Sequence, residues 1–402
     1  MELRKIDYKL YPNSAHEDAL LNVLRLQKDL HNGALEERID CYKKTGQSLS
    51  YNDQQKSLTQ IRGDSQDYKD MPVYISRMTL RRLDKSFKAF FGRVKRGETP
   101  GFPRFKSMKR FKSFEICEGS GWKFNSGENN KHGVLYIRNI GHIKARGKAR
   151  TFGKIKTSQI IHKHGDWFLS LTVECEPTRV TDSKKACGID WGVEHLLSIT
   201  HEDASFRQVE NPRYYETHKT EVLELERSMA RKKRGSARWK RACKALSQSR
   251  AKIARKRHQD HHQLSHNIAK EYALVASEKL DIKQMTRADN PSGIYNKTSL
   301  NRRVLDTSPA KLMGMIRYKV EETGGRYEEV QTKKVKPSQR CPDCLVTKKK
   351  PLKVRHHICT CGCTMKRDVA SGLVMLRSVL GTLHLRVETI PNGLPRKTPS
   401  KH

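Results

Sequence analysis

Apolar residues recur with two different periods in the first part of the chain, and these periods predict a strand followed by helices. Residues 3–10 alternate like a short strand that ends at Tyr11-Pro12. Ser14 and Glu17 then have the spacing of a capping box, which predicts the start of a helix. The apolar positions of this helix follow at helical spacing: Leu20, Val23, Leu24, Leu30 and Ala34.

A second amphipathic helix is predicted beyond the polar residues 64–70. Its apolar stripe consists of Leu80, Leu83, Phe87, Phe90 and Phe91. Its opposite face is basic and carries Arg77, Arg81, Arg82, Lys85 and Lys88. This face is compatible with an ordinary solvated surface and with a surface that contacts phosphates.

Between about residue 100 and residue 181 the pattern changes to short alternating runs that Gly and Asn interrupt. Residues 134–137, 154–161 and 167–174 have the alternation of antiparallel strands. Strands therefore flank the helices on both sides. This order predicts one β-domain into which a helical bundle is inserted.

The second half begins with three short predicted strands, at residues 186–190, 196–200 and 205–209. The long polar segment 212–271 predicts either two helices in a hairpin or one long arm. The elements predicted after it are a strand at 272–280, a helix from Ser308-Pro309, a strand at 326–330, a cysteine cluster at 341–363 and a last helix from about Arg367. Residues from about 388 onward are rich in Pro and Lys, which predicts a disordered tail.

The charge balance narrows the class of partner. The chain has 402 residues, enough for two or three domains, and its 81 Lys and Arg against 43 Asp and Glu give a net charge of +38. Such an excess indicates a polyanionic partner, and we expect nucleic acid rather than an anionic membrane surface. No apolar run fits a transmembrane helix or a signal peptide, so we expect a cytoplasmic protein with reduced cysteines.

Basic residues are densest between Arg231 and Arg257, where 13 Lys and Arg occur without an acidic residue. A solvated face is the simpler interpretation. However, a row of this density repels itself unless counterions or phosphates neutralise it, which favours contact with nucleic acid. The candidate contacts at its start are Arg231, Lys232, Lys233 and Arg234.

Three acidic residues of the second half have the surroundings of metal ligands. Asp190 ends a short apolar strand, Glu278 lies in an otherwise apolar strand, and Asp368 opens the last helix. Burying a carboxylate is costly unless a cation compensates it. If the three converge at one end of a sheet, their oxygens suit Mg²⁺ or Mn²⁺, and two such ions support phosphodiester hydrolysis. The alternative is that each acid is a salt-bridge partner or a helix cap.

Five cysteines lie between residues 341 and 363, a density that favours zinc over free thiols. Cys341 and Cys344 have the spacing of a zinc knuckle. The second pair has an unusual C-x-C spacing and stays open: Cys359 with Cys361 is our first choice, Cys359 with Cys363 is the alternative, and His356 or His357 is a weaker one. We expect one structural Zn²⁺ per chain.

Short motifs distributed over nearly the whole chain carry a family resemblance. They are Lys9-Leu10-Tyr11-Pro12, Gly101-Phe102-Pro103-Arg104-Phe105-Lys106, Gly188-Ile189-Asp190-Trp191-Gly192-Val193, Asn211-Pro212-Arg213-Tyr214-Tyr215, Glu278-Lys279-Leu280, Ser338-Gln339-Arg340-Cys341, Cys361-Gly362 and Arg367-Asp368. With these motifs the chain resembles TnpB, the family of compact RNA-guided nucleases of insertion sequences that is related to type V CRISPR effectors. It departs from the family in the C-x-C pair and in Val369-Ala370-Ser371-Gly372, where the family usually has Asn-Ala-Ala.

The resemblance implies a multidomain fold of the α+β and α/β classes. Its parts would be a wedge-like β-barrel (residues 1–12 and 103–182), an inserted helical recognition bundle (13–102), an RNase H-like RuvC domain (183–387) with a zinc-binding insertion at about 336–366, and a disordered tail (388–402). It also implies that Asp190, Glu278 and Asp368 are the RuvC catalytic triad. These are the acids that the strand pattern indicates independently.

The function that the resemblance implies is RNA-guided cleavage of DNA beside a short motif, in the cytoplasm of a prokaryote and in association with its nucleoid. The partners would be a guide RNA and double-stranded target DNA, and the cofactors two Mg²⁺ or Mn²⁺ and one Zn²⁺. The further candidate nucleic-acid contacts are Tyr51, Arg77, Arg81, Arg104 and Lys106. Two alternatives are a catalytically silent RNA-guided DNA-binding repressor and a transposase that needs no guide.

Overall fold

A computed structural model describes residues 2–116, 121–149, 152–176, 181–286, 294–351 and 354–382. The chain divides into two compact units, residues 1–178 and 179–402. The predicted tail at 388–402 lies outside the described residues. In the described part of the chain, no helix combines the length and the apolar character needed to cross a bilayer.

The first unit contains a seven-stranded antiparallel sheet. Its strands are β1 (Glu2–Tyr11), β2 (Ser113–Ile116), β3 (Trp122–Ser126), β4 (Lys131–Ile137), β5 (Gly141–Lys148), β6 (Lys154–Lys163) and β7 (Asp166–Cys175). They are ordered β2-β6-β7-β1-β5-β4-β3. The N-terminal strand is internal, because β1 pairs with β7 on one side and with β5 on the other. The described strand pairs leave β2 and β3 at the edges and do not close the sheet into the expected barrel.

Four helices lie between β1 and β2 in the chain: α1 (Ser14–Thr45), α2 (Tyr51–Asp64), α3 (Gln66–Asp70) and α4 (Val73–Lys95), and a short 3₁₀ helix, Glu128–Asn130, precedes β4. The predicted capping box of α1 is wrong. Asn13 is the N-cap, with extended backbone dihedrals, and its side chain accepts a hydrogen bond from the His16 N–H at 2.7 Å. The capping box of this unit belongs to α2, where Ser50 and Asp53 cap each other reciprocally.

The apolar stripe predicted on α4 is only partly buried. Leu80, Leu83 and Phe87 belong to a core shared with α1 and α2, but Phe91 is 51% exposed. Phe90 and Phe91 line an open cavity together with Tyr42 of α1. The last aromatic residues of α4 contact one another and Phe102, with the Phe90 and Phe102 rings edge-on at 5.3 Å.

The second unit is a mixed sheet with helices and a cysteine-rich hairpin. Its strands are β8 (Ala186–Trp191), β9 (His195–Thr200), β10 (Phe206–Glu210), β11 (Leu274–Glu278), β12 (Arg326–Val330), β13 (His356–Ile358) and β14 (Thr364–Lys366). Its helices are α5 (Tyr214–Thr217), α6 (Lys219–Ala230), α7 (Ala237–Glu271), α8 (Ile282–Met285), α9 (Ile294–Thr307), α10 (Pro309–Glu322), α11 (Thr332–Val335) and α12 (Arg367–Leu380).

The five-stranded sheet has the order β10-β9-β8-β11-β12 and changes direction in its middle. Strands β10, β9 and β8 are antiparallel, whereas β8, β11 and β12 are parallel. Strand β11 is apolar because both of its faces are covered: Val275 packs in the core that contains α10, and Ala276 packs in the core that contains α12. The sheet therefore lies between α10 and α12.

The long polar segment forms a helical hairpin, the first of the two predicted arrangements. Helices α6 and α7 share a small core of Val222, Leu246 and Ile253. The predicted basic row occupies the turn between the two helices and α7 as far as Arg257, just past the middle of that helix.

Candidate functional site

Two of the three candidate carboxylates lie at the ends of neighbouring parallel strands. Ile189 in β8 pairs with Ser277 in β11, so Asp190 and Glu278 are the next residues of both strands in the same register. The carboxyl ends of adjacent parallel strands meet at one edge of a sheet. The strand topology therefore brings two acids together that are far apart in sequence.

Both acids face the side of the sheet that α12 covers. Side chains alternate along a strand, so Asp190 shares a face with Gly188, and Glu278 shares a face with Ala276. Gly188 touches α12 directly, since a Cβ built on it would lie 1.9 Å from the carbonyl oxygen of Gly372. Asp368 is in the first turn of this helix. All three carboxylates are half-buried.

The pKa of Asp190 reports the proximity of the other two acids. Burial raises this pKa well above its ordinary value, and the charges of Glu278 and Asp368 raise it further, while a hydrogen bond from Ser371 and the charge of Arg367 oppose the rise. Burial also raises the pKa of Glu278. A cluster of half-buried carboxylates that repel one another is stabilised by divalent cations.

The three carboxylates are neighbours without being in contact as a compact group. Among the described residues, the groups of three or more potential ligands whose donor atoms all lie within 4.8 Å of one another both belong to the cysteine cluster. Like charges favour such a separation of carboxylates. The donor set, three carboxylates and no thiolate or imidazole, suits a hard ion such as Mg²⁺ or Mn²⁺.

The segment after Asp368, where the sequence departs from the pattern of the family it resembles, lies at this site. Ser371, which is 2% exposed, donates a hydrogen bond to Asp190, and Gly372 allows β8 to approach the helix. A Cβ on Gly372 would lie 2.7 Å from Thr200 Oγ1. Sequence reasoning missed both roles. The sequence did contain one signal for these roles. Ser371 and Gly372 are small residues three and four positions after Asp368, and this spacing puts them on the same face of a helix as Asp368.

The cysteine cluster has the geometry of a tetrahedral thiolate site. The Sγ atoms of Cys341 and Cys361 are 3.7 Å apart, and those of Cys344 and Cys359 are 3.4 Å apart. Zinc–sulfur bonds of about 2.3 Å in a tetrahedron put neighbouring sulfurs about 3.8 Å apart. These four cysteines, the first choice from sequence, form one compact group of potential ligands.

The fifth cysteine belongs to a second, overlapping group. Cys341, His357 and Cys363 are all buried, and their donor atoms also lie within 4.8 Å of one another. His357 adjoins Lys350 Nζ, and burial together with this cation lowers the pKa of His357 to about 4. Gly362 links the two groups and has φ +90°, a left-handed conformation that favours glycine.

The thiols of the four-cysteine group ionise unequally. Burial alone would raise the pKa of Cys359, but the Cys361 backbone N–H and the neighbouring thiols lower it to about 7. Burial and hydrogen bonds with the thiols of Cys344, Cys359 and Cys341 raise the pKa of Cys361 to about 12. One thiolate is therefore stabilised at the expense of the others, and a bound cation would relieve the repulsion that keeps the rest protonated.

The cysteine knuckle is joined to the helix that carries Asp368. Arg377 in α12 is 4% exposed and donates from Nη1 to the Pro342 carbonyl at 2.8 Å. The same atom lies 3.8 Å from an Asp343 carboxylate oxygen. At the other end of the helix, the Arg367 N–H donates to the Arg355 carbonyl at 2.8 Å. Sequence reasoning did not identify these contacts, because nothing local distinguishes Arg377 from a surface cation.

The candidate contacts of the first unit fall into two places. Tyr51 and Arg81 form a cation–π pair, with the guanidinium 5.8 Å from the ring, beside a cavity of about 530 Å³ that Lys85 and Lys88 also line. Arg77 is exposed one turn earlier in α4 and lies over the Tyr74 ring at 5.7 Å. These positions form one basic and aromatic surface on α2 and α4.

Arg104 and Lys106 lie in the loop between α4 and β2. Arg104 is exposed, whereas the backbone of Lys106 is fixed to α1 by two hydrogen bonds with the Asn32 amide, at 2.9 and 3.0 Å. Burial and the charge of Arg82 lower the pKa of Lys106.

The four cations Arg231 to Arg234 lie at the turn between α6 and α7. Arg231, Lys233 and Arg234 are exposed, and Lys232 Nζ donates to the Ser228 carbonyl and hydroxyl, both at 2.7 Å. Three of the four side chains are thus available to an external anion.

Two protein-family models match parts of the chain between residues 170 and 374. One, OrfB_IS605, described as "Probable transposase", matches residues 170–289, a range that contains Asp190 and Glu278. The other, described as "Cas12f1-like, TNB domain", matches residues 310–374, which contain the cysteine cluster and Asp368.

Two curated proteins are similar over most of their lengths. A "Putative RNA-guided DNA endonuclease" of Streptomyces pristinaespiralis is 24% identical over 372 residues, which cover 91% of this chain and 87% of that protein. The "Putative RNA-guided DNA endonuclease InsQ" of Escherichia coli (strain K12) is 24% identical over 288 residues, which cover 70% and 67%.

Solved structures of Cas12f complexes are also similar. A Cas12f1–sgRNA–target DNA complex matches with 13% identity and a TM-score of 0.35, over 94% of this chain and 99% of that chain. A CRISPR–Cas12f ternary complex matches with 13% identity and a TM-score of 0.36, over 90% and 81%. Similarity at this level does not establish a shared fold.

Proposed function

We propose that this chain, which belongs to the TnpB family, is an RNA-guided DNA endonuclease encoded by a transposable element. Its partners are a guide RNA and a double-stranded target DNA. Base pairing with the guide selects the sequence, and the protein recognises a short motif beside the target. The excess of cations over acids, +38 in total, agrees with two polyanionic partners. The expected location is the cytoplasm, in contact with the nucleoid.

The observation that carries the catalytic proposal is the convergence of Asp190, Glu278 and Asp368 on one side of the sheet. In our proposal these carboxylates hold two Mg²⁺ or Mn²⁺. When bound, such ions activate a water and stabilise the leaving oxygen of a phosphodiester. The role of the protein is to fix the three carboxylates, and the Ser371 hydroxyl supports this by holding one oxygen of Asp190. The expected products have 5′-phosphate and 3′-hydroxyl ends.

We assign the structural zinc to Cys341, Cys344, Cys359 and Cys361. The sulfur–sulfur distances of 3.7 and 3.4 Å and the grouping of these four donor atoms within 4.8 Å of one another support this assignment. The ion would hold the knuckle against α12 through Arg377. Zinc in this role stabilises the fold and takes no part in the reaction.

We assign the nucleic-acid contacts to three surfaces. Tyr51, Arg77 and Arg81 on α2 and α4 are proposed to contact the motif beside the target. The loop with Arg104 and Lys106 and the turn of Arg231, Lys232, Lys233 and Arg234 are proposed to contact phosphates. Arginine and lysine contacts of this kind supply affinity without sequence selectivity.

The test uses the ribonucleoprotein that copurifies from expression, after its RNA has been sequenced and its guide segment reprogrammed. Asp190→Ala, Glu278→Ala and Asp368→Ala should each reduce cleavage of a matched plasmid by at least about 10³-fold, and the double variants should lose little more, because the acids act as one site. Guided DNA binding should stay within about threefold of wild type. Glu202→Ala, which removes an exposed acid in the turn after β9, is the control and should cut normally.

The outcomes separate the three functions. Guided binding without cleavage by the wild type would identify a repressor, and cleavage or strand joining without RNA would identify a guide-independent transposase. If one triad variant cut at the wild-type rate in Mg²⁺, the assignment of that residue would be wrong.

A further inference from the structure

The second unit contains a cavity lined by more arginines than the proposed chemistry uses. It has a volume of about 450 Å³, and its lining includes Arg213, Arg302, Arg303 and Arg355 together with Tyr215. Three carboxylates also line it, so the net charge depends on which cations those carboxylates already neutralise. We refer to this cavity as the arginine pocket.

Each carboxylate of the arginine pocket already has a cationic partner. Glu194 pairs with Arg355 at 3.3 Å, Asp306 with Arg257 at 3.1 Å, and Glu216 with Lys219 at 3.3 Å. Within the described part of the chain, no carboxylate forms an ion pair with the other three arginines of the lining, Arg213, Arg302 and Arg303. These three side chains are exposed at the pocket and leave it with a net positive charge.

The motif Asn211-Pro212-Arg213-Tyr214-Tyr215, which the proposed function leaves without a role, builds one wall of this pocket. The Asn211 side chain donates to the Val193 carbonyl at 2.6 Å and accepts from the Arg213 N–H at 3.0 Å. Arg213 has φ +48°, an uncommon conformation for a residue with a Cβ. The Tyr215 N–H donates to Asp306 at 2.8 Å. The backbone is thus fixed in a strained form at a pocket of free cations, a combination typical of binding sites.

The pocket is connected to the backbone of two carboxylates of the proposed catalytic centre. Val193 and Glu194 lie in the turn that follows Asp190. Arg355 accepts a hydrogen bond at its carbonyl from the N–H of Arg367, the residue before Asp368. A ligand in the pocket therefore lies beside the segments that position Asp190 and Asp368.

The shape and chemistry of the pocket fit one nucleotide of a polynucleotide. Its volume is within the range of about 300–1,000 Å³ that is usual for small-molecule sites, and a bare phosphate would fill only part of it. Guanidinium groups bind phosphate oxygens in a bidentate manner. Arg302 lies over the Tyr215 ring at 5.4 Å, which orients its guanidinium, and Leu300 adds an apolar surface suited to a sugar. These groups recognise a backbone and no particular base.

We propose that the arginine pocket binds a backbone phosphate and its sugar on the DNA strand that is being cut, and so guides the neighbouring phosphodiester to the carboxylates. We assign the occupant to the substrate strand rather than to the guide RNA, because the pocket includes Val193 and Glu194, which follow Asp190, and Arg355, whose carbonyl accepts from the N–H of the residue before Asp368. This inference rests on the proposed function. It predicts that loss of the pocket slows cleavage after the target has been unwound.

The test compares Arg302→Ala/Arg303→Ala with Arg302→Lys/Arg303→Lys. Both arginines lie on the exposed side of α9, where alanine and lysine are good helix formers, so folding should be preserved. The matched control is Lys333→Ala/Lys334→Ala, which removes two exposed cations from α11 in the same unit. All are assayed as the ribonucleoprotein.

Cleavage of a target with a preformed bubble should slow at least about tenfold in the alanine pair, while the permanganate footprint of the unwound target stays unchanged. In the Asp190→Ala background, the log–log salt slope for binding of a short single-stranded oligodeoxynucleotide should fall by about 0.7 for each phosphate that the alanine pair no longer neutralises. The lysine pair should recover the slope but only part of the rate, and the control should match wild type in both.

Cleavage within twofold of wild type together with an unchanged salt slope would overturn the inference. A weakened affinity for the copurifying RNA with an unchanged single-strand slope would also overturn it, because the occupant would then be the guide. If the wild type itself neither unwinds nor cuts a matched target, the proposed function fails, and the pocket is judged by the single-strand slope alone.

Discussion

At the scale of residues, Gly188 and Gly372 set the distance between β8 and α12. A Cβ on Gly188 would meet three backbone atoms of Gly372, the nearest at 1.9 Å, and backbone cannot rotate away as a side chain can. The distance between Asp190 and Asp368 therefore depends on two residues that carry no functional group.

Gly188→Ala should accordingly separate the sheet from the helix, lower the free energy of unfolding by about 1–3 kcal/mol and abolish most cleavage. Thermal unfolding and plasmid cleavage measure the two effects. Gly314→Ala in α10 is the control, because its new Cβ would have no atom within 4 Å apart from its chain neighbours and the backbone of its own helix, and it should stabilise the protein by about 0.5–1 kcal/mol. Normal cleavage by Gly188→Ala would contradict this account of the contact.

Buried histidines give the stability of the protein a pH dependence. Burial lowers the pKa of His31 to about 4, and the charges of Lys106 and Arg82 act in the same direction. A hydrogen bond with the backbone of Arg104 opposes this shift. The folded state then binds fewer protons than the unfolded chain between about pH 4 and pH 6.5. The stability that His31 confers is present above about pH 6.5 and is lost as the pH falls towards 4.

We expect the unfolding temperature of the wild type to fall from pH 7 to pH 5. The His31→Phe variant can still pack against Phe111 and should show a smaller fall. The pH dependence of its free energy of unfolding should be weaker by up to about 1.4 kcal/mol per pH unit. Burial, followed by the charge of Arg257, also lowers the pKa of His261 to about 4. The variant should therefore retain the part of the pH dependence of stability that comes from His261. Identical pH profiles for variant and wild type would contradict the role of His31.

At the scale of elements, the cysteine knuckle and α12 depend on each other through Arg377. Cys361→Ser should remove the zinc, because Cys361 lies 3.7 Å from Cys341 and completes the four-sulfur group, whereas Cys363→Ser should retain it. Elemental analysis measures the metal, and thermal unfolding should show a loss of stability for Cys361→Ser alone. The reverse pattern would favour Cys363 as a ligand, and wild-type protein without zinc would reject the site.

The sequence predicts an element when its pattern is local. Strand β11 was predictable because a run of apolar and small residues precedes an acid. The polar segment 212–271 was predicted only as a hairpin or one long arm, because the core of Val222, Leu246 and Ile253 that joins α6 to α7 is not a local pattern. Strand β5 escaped prediction because only Ile143 and Ala145 of its residues are buried, between basic neighbours. Helix α2 was not predicted for the same reason, because it buries only Gln54 and Leu58 and so has no apolar stripe.

The residues of the candidate site also differ in how far the sequence predicts them. The candidate acids and cysteines were predictable from their neighbours in sequence, whereas the hydrogen bond from Ser371 and the contact of Arg377 depend on the tertiary fold. The exposure of Phe91 also depends on the tertiary fold, because helical periodicity does not tell how closely the neighbouring elements pack.

At the scale of the whole molecule, the net charge of +38 should dominate the affinity for RNA. Arg231, Lys233 and Arg234 are exposed in one turn, whereas Lys311, Lys333 and Lys334 are exposed but dispersed over two other helices. Alanine at the first three positions should lower the log–log salt slope of RNA binding by about 0.7 for each phosphate that is no longer neutralised, roughly 2 in total. Alanine at the other three should leave the slope nearly unchanged, and equal effects of the two sets would mean that the turn has no special contact.

The packing of α12 against β8 also sets a time order during synthesis. Asp190 and Glu278 leave the ribosome with their strands, but the face of the sheet that they share stays uncovered until α12, late in the chain, has emerged. Contacts between segments so distant in sequence form late in folding. The proposed nuclease centre is therefore completed only after β8 and β11 have been made. A nascent chain that has not yet produced α12 lacks one of the three carboxylates and has no centre with which to cut DNA.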